Sequence, residues 1–419
     1  MAYHQYNDQY RQLVLSGRLP YPYAYQNVSS VPNLVGGRGE CFRNRLFGLP
    51  FYEPHCEYPI EANNGLALGP VTWNPNCGES ISCDICPDYQ SYYNKIDPIN
   101  NIRACGEQPF CSIYSVTPQQ DPSVNLNFRL NSLVSSIPLD ARFLDGNIVD
   151  PWGLILERDT IWVANAGSGL ITQYHLSGRP LRRVINVFGP LNNVSSPTGI
   201  VINPNSQAFL LRSGSNTQPA NIIVATRDGT INAYSENIDF YNSIIIVNNS
   251  ANNSVYTGLA LANNTLYAAD FYNQKIDVFN SEFLQINTVA YPFIDQFSSN
   301  PIPSDYAPYN IALIDSNLYV TYAKHSPTNS QFEDIGTGYG YVSIFDLQGQ
   351  FIRRFVSNGV LNAPWGISLA PNEYGYPPGT IIIGNFGDGI FNVFEANGRF
   401  FGKITDASGV DLCVEGLRG

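Results

Sequence analysis

At 419 residues the chain has room for two or three average domains, or for one small domain and one large β domain. Apolar residues make up 44% of it and charged residues only 13%, about half the usual share, so the surface must be built from uncharged polar groups. The net charge of −12 and a pI near 4.7 argue against a non-specific nucleic-acid binder and against a polybasic membrane-surface protein. No run of 18 apolar residues is present, so no transmembrane helix is expected.

The opening, MAYHQYNDQY, has neither a basic n-region nor an apolar h-region, and no secretory signal is read from it. A Tyr-rich start follows (Tyr3, Tyr6, Tyr10, Tyr21, Tyr23, Tyr25), with one short helix expected near residues 6–16. Turn pairs such as Asn63-Asn64-Gly65 and Asn74-Pro75 then dominate. Seven of the eight cysteines fall here, at Cys41, Cys56, Cys77, Cys83, Cys86, Cys105 and Cys111; Cys413 lies near the other end. Dense cysteine with many Gly and Pro points to a disulfide framework in an oxidising place. The spacing Cys83-x-x-Cys86 suits half a zinc knuckle, but no second close pair accompanies it, so disulfides are the expected state and no metal is assigned. Seven cysteines leave one over. Either Cys413 pairs with it or a bridge runs between chains, and spacing does not choose between them. Residues 1–118 are therefore read as a loop-rich, disulfide-stapled segment, and 119–419 as a separate domain.

Beyond a Pro-containing junction near 118–122, one unit recurs five times. It opens on Pro-x-Gly or a variant: Pro151-Trp152-Gly153, Pro197-Thr198-Gly199, Tyr256-Thr257-Gly258, Pro308-Tyr309-Asn310 and Pro364-Trp365-Gly366. The third residues are spaced by 46, 59, 52 and 56. Each opening leads to a second strand: IWVAN (161–165), IIVAT (222–226), LYAAD (266–270), LYVTY (318–322) and IIIGN (381–385). A third strand follows a turn, from LITQYHL (170–176) to GIFNVF (389–394), and outer strands such as PLRRVINV (180–187) and FIRRFVS (351–357) come last. Several short strands per unit at a period of about 45–60 predict the blades of an all-β propeller. A blade's sheet cannot bury both faces alone, and packing against its neighbours around a ring solves that. Trp152 and Trp365 are expected in the core between blades. Arg182-Arg183 and Arg353-Arg354 are expected to blunt outer sheet edges.

The stretches LVSSIPLDARFLDGNIVDPWGL (133–154), IIVATRDGTINAY (222–234), LYVTYAK (318–324), VLNAPWGISLAPNEYG (360–375) and IIIGNFGDGIFNVF (381–394) resemble an uncharacterised NHL-type β-propeller family, bacterial and often bearing secretion or sorting signals. The likeness runs from about 126 to 417. It implies an NHL-like propeller, normally with six blades, and brings no activity with it. Family members continue from a "GLWGL"-like opening into a sixth blade; here Glu415-Gly416-Leu417-Arg418-Gly419 stands at that point. The ring is then expected either to close with five blades or to build a sixth from strands at about 112–149 and the tail, the second being preferred. The cysteine-rich segment has no counterpart in the family.

No catalytic constellation is read from the residues. The four histidines, His4, His55, His175 and His325, do not recur at equivalent repeat positions. The positions after each second strand, Asn165, Thr226, Asp270, Tyr322 and Asn385, are turn-cap or channel candidates; only one is a carboxylate, so capping of backbone N–H groups is the expected role. Gly167-Ser168-Gly169 is read as a turn and not a nucleophile elbow, and Asn385-Phe386-Gly387-Asp388-Gly389 as a Gly-rich hairpin turn and not a calcium loop. Five N-x-[ST] sequons start at Asn27, Asn193, Asn248, Asn252 and Asn263 and mark possible glycosylation. These features favour a non-enzymatic structural protein without a cofactor. It would be an oligomer or assemble with other components of a large-virus particle, in a virion or another oxidising place, without nucleic-acid or membrane partners. A glycan- or protein-binding propeller is the second expectation. A metal-dependent, lactonase-like hydrolase using Asp270, Asp228 or Asp388 is the third.

Overall fold

The computed structural model describes residues 112–119, 127–286 and 289–418. The expected helix near 6–16, seven of the cysteines, His4, His55 and the sequon at Asn27 lie outside them. The described residues form an all-β, five-bladed propeller preceded by a small sheet. That sheet has the order β1 (Ser112–Gln119), β2 (Asn127–Ser135), β3 (Phe143–Leu144). The boundary drawn at 118 falls inside β1, which pairs with β2 along its whole length.

Blade one is β4 (Pro151–Glu157), β5 (Thr160–Asn165), β6 (Leu170–His175) and β7 (Pro180–Asn186). Blade two is β8 (Pro197–Ile202), then an inserted hairpin of β9 (Leu210–Ser213) and β10 (Asn216–Pro219), then β11 (Ile222–Thr226), β12 (Thr230–Tyr234) and β13 (Ile244–Asn248). Blade three has three strands, β14 (Tyr256–Ala262), β15 (Thr265–Asp270) and β16 (Lys275–Phe279). Blade four is β17 (Tyr306–Ile314), β18 (Asn317–His325), the short β19 (Glu333–Asp334), β20 (Tyr341–Phe345) and β21 (Phe351–Ser357). Blade five is β22 (Pro364–Leu369), β23 (Ile381–Asn385), β24 (Phe391–Phe394) and β25 (Phe400–Lys403). Within each blade, successive main strands pair antiparallel.

The central strands β11, β12 and β20 are buried at every residue. Their sequences are near-continuous apolar runs because a neighbouring blade covers each face. Trp162, Ala164 and Ile171 of blade one meet Ile222, Val224 and Tyr234 of blade two. Ile223 and Ala225 meet Leu259 and Leu266 of blade three. Tyr267 and Val278 meet Ile311 and Val320 of blade four, and Val342 and Ile344 meet Ile381 and Ile383 of blade five. Burying each such side chain contributes about 1.5–3 kcal/mol.

Between blades five and one lies the β1–β3 sheet. Phe128 of β2 packs with Val393 and Ile404 on the blade-five side, and its amide bonds the Thr405 carbonyl at 2.9 Å. Val134, at the other end of β2, packs with Ile161, Val163 and Tyr174 of blade one. The described residues thus contain no sixth four-stranded blade, and N-terminal strands stand in its place.

One register feature repeats around the ring. The first residue of each opening motif pairs with the last residue of the second strand: Pro151 with Asn165, Pro197 with Thr226, Tyr256 with Asp270, Pro308 with Tyr322, Pro364 with Asn385. In every blade the register then shifts by a bulge. A bulge re-aims the side chain it carries, and the second motif residue is the one it carries.

Candidate functional site on the propeller axis

The second motif residues are Trp152, Thr198, Thr257, Tyr309 and Trp365, and none is more than 4% exposed. Turned inward by the bulges, three of them meet. The rings of Trp152 and Trp365 lie 5.9 Å apart edge to face, and Trp152 and Tyr309 lie 6.2 Å apart. Phe271 joins them from blade three, and Ala166, Ala307, Ala323 and Ala363 close the cluster. The two threonines tie blades together through backbone: Thr198 Oγ1 donates to the carbonyl of Tyr256 at 2.8 Å, and the Thr257 carbonyl accepts from Trp365 Nε1 at 2.9 Å. Trp152 and Trp365 are therefore axial core, more central than the blade-to-blade seam expected for them. Side chains from four blades thus meet in the middle of the ring.

A charged cluster caps this plug. Arg418 Nη1 bonds Asp150 Oδ1 at 2.7 Å and its Nη2 lies 3.3 Å from Glu333 Oε1. Its guanidinium sits 3.9 Å from the ring centres of both Trp152 and Phe386. Asp150 also accepts from Trp152 Nε1 at 2.9 Å, and its own backbone is left-handed, with φ of 50°. Arg227 approaches Glu333 at 3.9 Å and donates to the Gln331 carbonyl at 2.7 Å. Two arginines thus face two carboxylates. Burial pushes the Asp150 carboxyl up against the pull of Arg418. For Glu333, burial is outweighed by Arg227 and Arg418, which hold it below the usual carboxylate range. The set can fix blade positions. Among the described residues no group of three or more His, Cys, Asp or Glu side chains is placed to hold a metal ion.

The five positions after the second strands ring the axis without converging. Asn165 Nδ2 donates to the carbonyls of Val163 and Leu170 and to Thr172 Oγ1. Thr226 Oγ1 accepts from the Thr230 amide at 3.2 Å. Asp270 accepts from the amides of Val255 and Asn273 and from Asn273 Nδ2. Asn385 Nδ2 donates to the Val360 carbonyl at 2.8 Å. Thr226 and Asp270 accept from backbone N–H groups as turn caps do, whereas Asn165 and Asn385 donate to carbonyls, Asn385 to one in the connection before its own blade. Tyr322 differs: β18 runs on to His325, and the Tyr322 ring is buried in the core of blades three and four, so it caps no turn. Asp228 is taken up by Ser195 Oγ and the Ser196 amide, and Asp388 by the Ile390 amide with Asn362 and Asn385. His325 Nε2 lies 2.8 Å from the Phe271 carbonyl, and His175 serves the adjacent Ser177 turn. Cys413 is buried, its Sγ 3.2 Å from the Asp388 carbonyl oxygen. Of the sequons, Asn248, Asn252 and Asn263 are exposed and Asn193 is half-buried.

No family model matches the chain. Two uncharacterised proteins of Acanthamoeba polyphaga mimivirus do resemble it at length. One is 36% identical over 341 residues, covering 81% of this chain and 88% of the relative. The other is 35% identical over 364 residues, covering 86% and 87%. The chain belongs to this mimivirus protein family. A third mimivirus relative is 42% identical over 275 residues, 66% of this chain and 51% of its own length. Solved structures similar to the mimivirus-family propeller include a nidogen/laminin complex (10% identity, 72% of this chain and 93% of that one, TM-score 0.41). Others are a virginiamycin B lyase from Staphylococcus aureus (12%, 74% and 88%, TM-score 0.40) and a putative 6-phosphogluconolactonase from Bacteroides uniformis (12%, 75% and 81%, TM-score 0.40).

Within the mimivirus-family propeller, the axial residues that the sequence reading missed are Asp150, Arg227, Glu333 and Arg418. Asp150 and Arg418 meet across 268 positions. The local signal was the stretch Glu415-Gly416-Leu417-Arg418-Gly419, read as the point where a sixth blade would open, but nothing in it marks Arg418 as axial.

Proposed function

We propose that this chain, an NHL-type propeller, is a non-enzymatic building block of a large-virus particle, linked to its neighbours through its cysteine-rich N-terminal segment. One observation carries the reading: the axis is occupied by Trp152, Tyr309, Trp365 and Phe271, capped by an ion cluster. A ring with its centre filled acts as a rigid spacer. Kinship with mimivirus proteins and the eight cysteines support the particle context. Electrophoresis of purified particles without reductant tests the cross-linking. The reading expects this chain in high-mass species that collapse to monomer on reduction; free monomer in both lanes would contradict it.

A second reading, a glycan- or protein-binding module, is favoured by the exposed pair Phe240 and Tyr241, whose rings pack edge to face at 5.0 Å on a well-bonded loop. Retention on a glycan array that is abolished by Tyr241→Ala would move the conclusion to that reading.

A further inference from the structure

The third residue of each motif lies against the next motif around the ring. A Cβ on Gly153 would stand 2.5 Å from the Thr198 carbonyl oxygen, one on Gly199 2.7 Å from the Gly258 carbonyl carbon, and one on Gly258 2.6 Å from the Asn310 Cα. Asn310 carries the series on with its side chain, donating to the Trp365 carbonyl at 2.8 Å. The series does not stop at the fifth blade. The same side of Gly366 faces the carbonyl oxygen of Arg418, 3.9 Å from where a Cβ would stand.

The approach to the motif repeats as well after blades one, two and four. After blade one, the Val187 amide bonds the Gly169 carbonyl; after blade two, Asn249 bonds Gly229; after blade four, Asn358 bonds Gly340. After blade five, the Val414 amide bonds the Gly389 carbonyl at 2.9 Å in the same way. Three residues later comes Leu417-Arg418, in the place of Pro-Trp or Pro-Thr. Leu417 is buried against Gly384, where a Cβ would stand 2.8 Å from its Cδ2. Arg418 occupies the position of the inward-turned second residue, and it reaches the axis as Trp152 and Trp365 do.

We infer that residues 414–418 are a latch that closes the ring by seating a sixth copy of the opening motif between blades five and one. Arg418 is its bolt. The first five motifs hold the ring with aromatic or hydroxyl side chains that belong to their own blades. The sixth has no blade of its own among the described residues; β2 stands outside it. Its hold is therefore the ion pair to Asp150, which directly precedes the first motif, together with the bond to Glu333 and the stacking between Trp152 and Phe386. A guanidinium supplies this combination because it can bond two carboxylates in its plane and stack on both faces. Arg418 thus joins the last motif to the residue before the first, and the blade-five to blade-one seam is where the ring opens when the latch is lost.

Hydrogen–deuterium exchange on the full chain, read by mass spectrometry, tests this with Arg418→Ala and Arg418→Lys. The expected result for the alanine variant is exchange faster by about tenfold or more in β4, β22 and residues 412–418, with β15 and β16 of blade three unchanged. The lysine variant should fall between, since it keeps the charge and loses the fork. Equal acceleration in every blade, or none anywhere, would overturn the latch. If the alanine variant does not fold, native-state exchange of the unaltered chain in mild urea decides. The latch requires β4, β22 and 412–418 to open together before blade three, whereas exchange of all blades in one event would refute it.

Discussion

Two kinds of residue set the geometry of the axis: the second motif residue, which fills it, and the third, which lets neighbouring inner strands approach. Trp152 is 1% exposed and touches Trp365, Tyr309 and Arg418. Trp152→Ala removes this and leaves a cavity on the axis, so a loss of about 3–5 kcal/mol is expected in urea unfolding. Gly199 is limited differently. A Cβ there would lie 2.4 Å from the Leu259 amide nitrogen, a backbone atom that cannot step aside. Gly199→Ala should cost about 1–3 kcal/mol by overpacking, whereas Gly214→Ala, with nothing within 4 Å of its Cβ, is limited only by its φ of 59°. A thermal melt of the two glycine variants side by side separates close approach from backbone strain; a larger drop for Gly214→Ala would count against the packing argument.

At the scale of elements, the strands were legible because their pattern is local. The second strands predicted at 222–226 and 381–385 are β11 and β23, and the outer strand predicted at 351–357 is β21, residue for residue. Apolar runs between Gly turns announce buried strands whatever lies far away. The bulge after each first motif residue was not legible, since it is a mismatch between two strands and leaves no mark on either alone. Nor was the course of the chain after β16, where blade three forgoes a fourth strand. Residues 289–305 cross to blade four, where Asp295 bonds the Arg354 guanidinium at 2.9 Å through both its Nε and its Nη2. The sequence reading placed Arg354 on a sheet edge; it is buried and anchors this crossing, with its guanidinium 4.9 Å from the Tyr341 ring centre. Arg354→Ala leaves Asp295 without its cation and should cost about 3–5 kcal/mol. The pair also carries a pH signature. Burial would raise the Asp295 carboxyl, but Arg354, Ser343 and the Phe297 amide outweigh it and hold it below the ordinary carboxylate value. Its contribution is then fully present above pH about 4 and lost as pH falls through the depressed value. The stability gap between the unaltered chain and Asp295→Asn should therefore close on acidification below that point. A gap that is constant from pH 7 to pH 2 would show that the charge is not what holds the crossing.

At the scale of the whole molecule, repetition made the ring readable and closure did not. Five motif copies correspond to five blades, but the sixth blade preferred from the strands near 112–149 and the tail does not form: β1, β2 and β3 make a separate three-stranded sheet. What joins the ends is an ion pair between Asp150 and Arg418, invisible to any window of neighbouring residues because each half looks like an ordinary surface charge in its own stretch. The same limit applies to function. A filled axis is a property of side chains from four blades meeting, and only the folded ring displays it. If the ring is inert material in a particle, it must be present there in quantity. Absolute quantification by mass spectrometry of purified particles, set against extract of the infected cell, measures this directly. The account predicts enrichment of the chain in the particle fraction, in amounts comparable with other particle components. A chain abundant in the cell extract and missing from the particles would contradict it.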